Sequence, residues 1–187
     1  MKAISFKEAS PVVHEIELKV RVDDPAALEE KLKGSCVFVR TYDKFDTYYS
    51  YPCGPEEGKA FRLRKDGGGC IVTVKEKKVL NGIEHNMERE FSVSSEELFT
   101  YFILSLGCSV KVTKRKKGSL FKLGDINLEL SRVERLGWFL EVEKICGSND
   151  PAEHEMAKKE ILAVLKRFGI PEDRIEARYY TDMLLEA

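Results

Sequence analysis

Three short stretches place glutamates two residues apart: Glu15-Ile-Glu17, Glu88-Arg-Glu90 and Glu141-Val-Glu143. Cations recur with the same period, as Arg62-Leu-Arg64 and as Lys111, Thr113 and Arg115; Lys19 follows the first glutamate pair, and Lys75 ends Thr73-Val-Lys75. On a β-strand, residues i and i+2 share one face, about 6.6 Å apart. Two carboxylates so placed repel unless a cation or metal ion lies between them. Carboxylate rows suit a hard ion such as Mg²⁺, which takes one or two carboxylates together with phosphate oxygens. Cation rows suit those phosphate oxygens. Alternation of this kind also arises when polar faces look at water. Against that simpler explanation, short polar residues are scarce on these faces and the signs cluster. Glu rows with cation rows are the chemistry of a triphosphate site.

Such rows need strands to carry them. Period-two alternation and β-branched or aromatic content predict strands over 14–22, 36–40, 44–51, 59–65, 70–77, 83–93, 110–117, 120–123, 126–133 and 138–146. The triplet Gly67-Gly68-Gly69 and the pair Asn81-Gly82 mark hairpins. Asp24-Pro25 opens a helix to about residue 33, and Ser94 or Ser95 caps another through about 106, ended by Gly107. Asp150-Pro151 opens the longest helix, to about Phe168, with Ile161, Leu162, Leu165 and Phe168 on one stripe. A short helix near 180–185 closes the chain. The class is α+β, and about eight antiparallel strands would close into a barrel, which removes exposed edges. Charged faces would then line the inside, and apolar faces would lie outside under the helices.

Composition bounds the reading. The 187 residues suit one domain over 1–187, with 1–12 as an N-terminal extension. Thirty-one Lys and Arg nearly cancel 32 Asp and Glu, so no bulk attraction to nucleic acid is expected. Cys36, Cys53, Cys70, Cys108 and Cys146 are odd in number and scattered, which speaks against a disulfide framework or zinc site. No signal peptide or membrane-length apolar run stands out, so the expected location is cytoplasmic. Gly67–Gly69 lacks the Lys-Ser/Thr ending of a P-loop. His14, His85 and His154 show no ligand spacing.

These residues resemble the CYTH family, the triphosphate tunnel metalloenzymes, over roughly 13–186. Glu15-Ile-Glu17-Leu-Lys19 is similar to its E-x-E-x-K, Asp46-Thr-Tyr48 to a D-x-Y element, Arg62-Leu-Arg64 to R-x-R, and Thr73-Val-Lys75 to T-x-K. Glu88 and Glu90 match alternating acids, Lys114-Arg115 a basic strand, and Leu136-Gly137 through Glu143 the L-G-x-F-x-E-I-E element. Tyr179-Tyr180 with Met183-Leu184 loosely resembles a C-terminal S-Y-x-x-L-L. The resemblance implies an eight-stranded antiparallel tunnel with helices outside. It implies Glu15, Glu17, Glu88, Glu90, Glu141 and Glu143 as ligands for Mg²⁺ or Mn²⁺. Lys19, Arg62, Arg64, Lys75, Lys114 and Arg115 would hold phosphate, and Glu15, Glu17, Lys75 and Glu141 would serve catalysis. One position departs from the pattern: Ser131 stands where the family usually has an acid, six residues before Gly137.

The activity so implied is metal-dependent hydrolysis of an inorganic, thiamine or nucleoside triphosphate. A class IV adenylate cyclase, making cyclic AMP and pyrophosphate, is the alternative. Cyclases of this family tend to carry His-Phe shortly before E-x-E-x-K, where this chain has Ser10-Pro11. A non-catalytic binder of polyphosphate or nucleotides is the second alternative, and Ser131 sustains it. The partner expected is a small triphosphate, without nucleic acid or membrane; the oligomeric state stays open, a homodimer included.

Overall fold

A computed structural model describes residues 12–52 and 59–187. The expectations for Ser10-Pro11, the extension and Cys53 lie outside the described residues. The order of elements is β1 (Val13–Arg21), α1 (Pro25–Ser35), β2 (Val37–Ser50), β3 (Lys59–Asp66), β4 (Gly69–Leu80), β5 (Ile83–Val93), α2 (Glu96–Ser105), β6 (Ser109–Leu123), β7 (Ile126–Val133), β8 (Gly137–Cys146), α3 (Pro151–Phe168) and α4 (Tyr180–Glu186). The eight strands form one closed antiparallel barrel in the order β1-β5-β4-β3-β2-β6-β7-β8.

Caps explain where the helices begin. Asp24, Ser95 and Asp150 each accept from a backbone N–H in the first turn of α1, α2 and α3. Pro at the first turn of α1 and α3 has no N–H to leave unpaired. Gly169, with φ of 70°, ends α3 in the left-handed conformation.

The main hydrophobic core lies outside the barrel. Ile16, Leu18 and Val20 of β1, Leu128 and Leu130 of β7, and Leu140 and Val142 of β8 pack against Leu32 of α1 and Ile161 and Leu165 of α3. Burying each such side chain contributes roughly 1.5–3 kcal/mol relative to exposure. With period two, this outward apolar set forces the polar residues between them into the barrel. At one end, α4 stoppers the barrel: Tyr180 and Met183 pack on inward-facing Val133 and Phe139, and Leu184 on Tyr48 and Val112.

Two breaks expected from sequence are absent. β2 is one strand of 14 residues and β6 one of 15, paired from Val37↔Lys122 to Ser50↔Ser109. Gly118 is not a turn residue. A Cβ there would lie 2.1 Å from the Leu130 carbonyl oxygen, so glycine lets β7 approach β6.

Candidate active site

The barrel encloses a cavity of about 230 Å³ lined by eight glutamates and seven lysines and arginines. Its charges are segregated. On one side, the fully buried Asp46 of β2 takes a two-pronged contact from Arg64 (2.7 and 2.9 Å), with Lys114 at 3.2 Å and Arg62 at 3.6 Å. Three cations share one carboxylate. Burial resists ionisation of Asp46, but Arg64, Lys114 and Arg62 override it and hold the group well below its usual range. Among the described residues, the buried Arg62 Nε has no hydrogen-bond partner. Burial resists ionisation of Tyr48, but Lys114 Nζ at 3.1 Å, together with Arg62 and Lys77, overrides it and brings the phenol down to about 8.

On another side the balance is reversed. Lys75 Nζ lies 3.3 Å from Glu15 and 3.4 Å from Glu17, and also contacts Glu88. Glu143, paired across strands with Glu17, adds a fourth carboxylate. Burial, together with Glu143, Glu88 and Glu17, outweighs Lys75 and pushes Glu15 up to about 9. Burial and Glu17 push Glu143 to about 7. Three carboxylates thus share one ammonium, with Glu143 beside Glu17 as a fourth carboxyl group.

Two further groups are nearer balance. Lys116 lies 2.5 Å from Glu129 and 2.7 Å from Glu141, while Lys44 also holds Glu129 at 2.5 Å. Glu141 accepts a second bond from the Tyr180 hydroxyl at 2.8 Å. Lys19 is buried, bonded to Glu84 at 2.6 Å, with Lys77 at 3.6 Å from the same glutamate.

Of the residues singled out by sequence, Glu15, Glu17, Arg62, Arg64, Lys75, Glu88, Glu90, Lys114, Glu141 and Glu143 line the cavity. Glu90 sits among them as acceptor for Thr73 at 2.6 Å. Lys19 is committed to Glu84 and is not among the lining residues. Arg115 requires correction: it is exposed on the outer wall, bonded to Asp43 at 3.0 and 2.8 Å. β6 has the opposite phase to the one expected, so Lys114 and Lys116 face inward while Lys111, Thr113 and Arg115 face out. The candidates drawn from the sequence did not include Lys44, Lys77, Glu84, Lys116 or Glu129, which also line the cavity. Continuing the parity of β2 through Asp46 to Lys44, and of β4 through Lys75 to Lys77, would have found two of them. Ser131 is inward and buried, two residues from Glu129.

The three histidines, without pattern in the sequence, meet on the outer wall. The His154 ring lies 6.0 Å from His14 and 5.7 Å from His85. Among the described residues, no group of three His, Cys, Asp or Glu stands in ready metal-binding geometry, there or in the cavity. No helix among them is long and apolar enough to cross a membrane.

The raised Glu15 sets a pH dependence. Its carboxyl keeps its proton in the fold up to about 9, whereas the unfolded chain releases it near 4.5. The associated stability is full below about 4.5 and lost as pH rises through about 9. Metal-free protein should therefore lose melting temperature from pH 5 to 8, and Glu15→Gln should make that decline shallower in calorimetry. An equal slope in both proteins would refute the assignment.

The comparisons with known proteins agree with this architecture. The CYTH domain profile matches residues 13–180. The chain belongs to the CYTH family. The candidate adenylate cyclase MJ0240 of Methanocaldococcus jannaschii is 28% identical over 172 residues, covering 90% of this chain and 97% of that one. The structure of PH1012 from Pyrococcus horikoshii superposes with a TM-score of 0.80 at 30% identity, covering 91% of this chain and 99% of that one. HpAC1 of Hippeastrum, an adenylyl cyclase candidate described as having a dominant triphosphatase activity, shares the fold with a TM-score of 0.66 at 17% identity, covering 93% and 95%.

Proposed function

We propose that this protein hydrolyses the phosphate chain of a triphosphate inside the barrel, with a divalent metal ion, Mg²⁺ or Mn²⁺. The observation that carries the reading is the segregation of charge. Arg62, Arg64 and Lys114 share one carboxylate, while Glu15, Glu17 and Glu88 share Lys75, with Glu143 opposite Glu17. A metal–polyphosphate complex presents the complementary pair of charges.

The donors fit a hard divalent ion, since all are carboxylate oxygens, and burial followed by their mutual repulsion raises Glu15 and Glu143. Glu15, Glu17, Glu88 and Glu143 would hold it, with Glu90 and Glu141 flanking. When bound, such an ion supplies charge neutralisation to the phosphate oxygens. Arg62 Nε, buried and without a partner among the described residues, is a donor for a phosphate oxygen. Arg64 and Lys114 would turn from Asp46 toward the same chain, and Lys44 and Lys116 would extend the grip. Phosphoryl transfer is mostly positioning and charge stabilisation, so this grip is the catalytic contribution of these residues. Lys75, set among Glu15, Glu17 and Glu88, would offset part of their charge beside the metal.

Within the cavity little is offered to an organic group. Leu120 is the one apolar aliphatic residue lining it, and the Tyr48 and Tyr180 rings sit 5.5 and 4.9 Å from Lys114 Nζ. The volume is also below the ~300–1,000 Å³ typical of organic-ligand pockets. Both points favour the phosphate chain as the part recognised, with hydrolysis favoured over cyclisation. The test is incubation with tripolyphosphate, thiamine triphosphate and ATP, each with Mg²⁺ or Mn²⁺. Inorganic phosphate should appear without cyclic AMP. Pyrophosphate with cyclic AMP from ATP would assign a cyclase instead, and tight binding without turnover a binding module.

A further inference from the structure

We propose that the protein is a homodimer joined through α2, packed against its own copy across a two-fold axis. α2 reads EELFTYFILS, a helix with an apolar residue on every side after its first turn. A helix apolar all round is normally buried, yet α2 buries none of its residues. Of its apolar side chains, Phe99 and Ile103 rest on the barrel, against the cluster of Tyr49, Phe61, Leu63 and Val72, while Thr100 bonds Tyr49 and Glu96 pairs with Lys65. Opposite them, Leu98 is 69% exposed, Tyr101 75%, Phe102 55% and Leu104 45%. Leu106, Phe91 and Val110 extend the apolar surface at its margins.

With aromatic side chains presenting about 150–250 Å² each, the surface amounts to roughly 700–900 Å². That exceeds the ~300–600 Å² of the largest patch on a typical monomer and matches the ~800 Å² each partner contributes to a standard interface. The occupant can be narrowed further. A membrane surface is disfavoured, because α2 carries no Lys or Arg and begins with Glu96 and Glu97.

A second copy fits on charge. A two-fold axis across Tyr101 sets the helices antiparallel, with the exposed Glu97 of each facing the end of α2 from which β6 and its exposed Lys111 depart. The arrangement is self-complementary, as an isologous interface must be. The net charge of −1 leaves no long-range repulsion between copies.

Light scattering on the full chain at about 50 μM should give twice the monomer mass. Leu98→Arg and Tyr101→Arg should each shift the midpoint of the dilution curve at least ~30-fold, as for an interface hot spot. Because both side chains face outward, the circular dichroism of these variants should match the parent. Hydrogen exchange on the unmodified protein gives a reading independent of any variant: amides of 96–105 should exchange faster on dilution. A monomer at 50 μM, a dimer indifferent to both substitutions, or exchange independent of concentration would each overturn the proposal.

Discussion

Asp46→Asn should leave the barrel folded but less stable by about 3–5 kcal/mol, and tripolyphosphate should restore much of the loss. Asparagine is nearly isosteric, so no void is created and the effect is electrostatic. Asp46 is fully buried and is the carboxylate that Arg64, Lys114 and Arg62 share. Without it, three cations face one another in a small cavity. Removing one partner of a buried ionic group costs more than the group contributed, because the remaining charges lose their compensation. A polyphosphate anion supplies that compensation, and a ligand at a hundred times its Kd adds about 2.7 kcal/mol to any folded state it binds. The variant should therefore gain more melting temperature from tripolyphosphate than the parent does. Chemical denaturation and thermal melts, with and without the anion, read both effects. A variant as stable as the parent without ligand, or one insensitive to tripolyphosphate, would show that these cations do not form an anion site.

Most of this architecture was legible because two periodicities agree. Ile16, Leu18 and Val20 alternate with Glu15, Glu17 and Lys19, and the buried stripe of α3 supplies the cover that an outward apolar face requires. The same logic holds for Arg62 and Arg64 against Phe61 and Leu63, and for Glu141 and Glu143 against Leu140 and Val142. It fails on β6, where Lys114-Arg115-Lys116-Lys117 carries charge on both faces. Parity has no apolar side to anchor it there, so the phase is set by pairing with β2 and β7, which sequence does not display. Gly118 illustrates the other limit. The strands expected over 110–117 and 120–123 leave it in a break, and only the approach of the Leu130 carbonyl shows why glycine is required.

What stayed hidden is convergence across distant segments. Asp46 lies 16 and 18 residues from Arg62 and Arg64 and 68 from Lys114, and its role depends on β2 being the strand between β3 and β6. The three histidines likewise come from β1, β5 and α3 and meet because α3 covers the outside of β1. Neither grouping has a local signature. Both follow once the barrel order is known.

The two arginines that sequence alone treats alike should separate by orders of magnitude. Arg62→Ala should lower kcat/KM for a triphosphate by about 10²–10³-fold, the loss seen when one preorganised donor to a developing anion is removed. Its Nε is buried and has no partner among the described residues, which is the state of a donor that awaits a ligand oxygen. The fold should survive, because Asp46 keeps Arg64 and Lys114. Arg62→Lys should recover little, since an ammonium lacks the planar fork that binds two phosphate oxygens together. Arg115→Ala should stay within about twofold of the parent, because that side chain is exposed and its partner, Asp43, is on the outer surface. Steady-state kinetics on the three variants decides the matter. A severe loss in Arg115→Ala with an unaffected Arg62→Ala would mean that β6 runs in the opposite phase, and would take Lys114 and Lys116 out of the cavity with it.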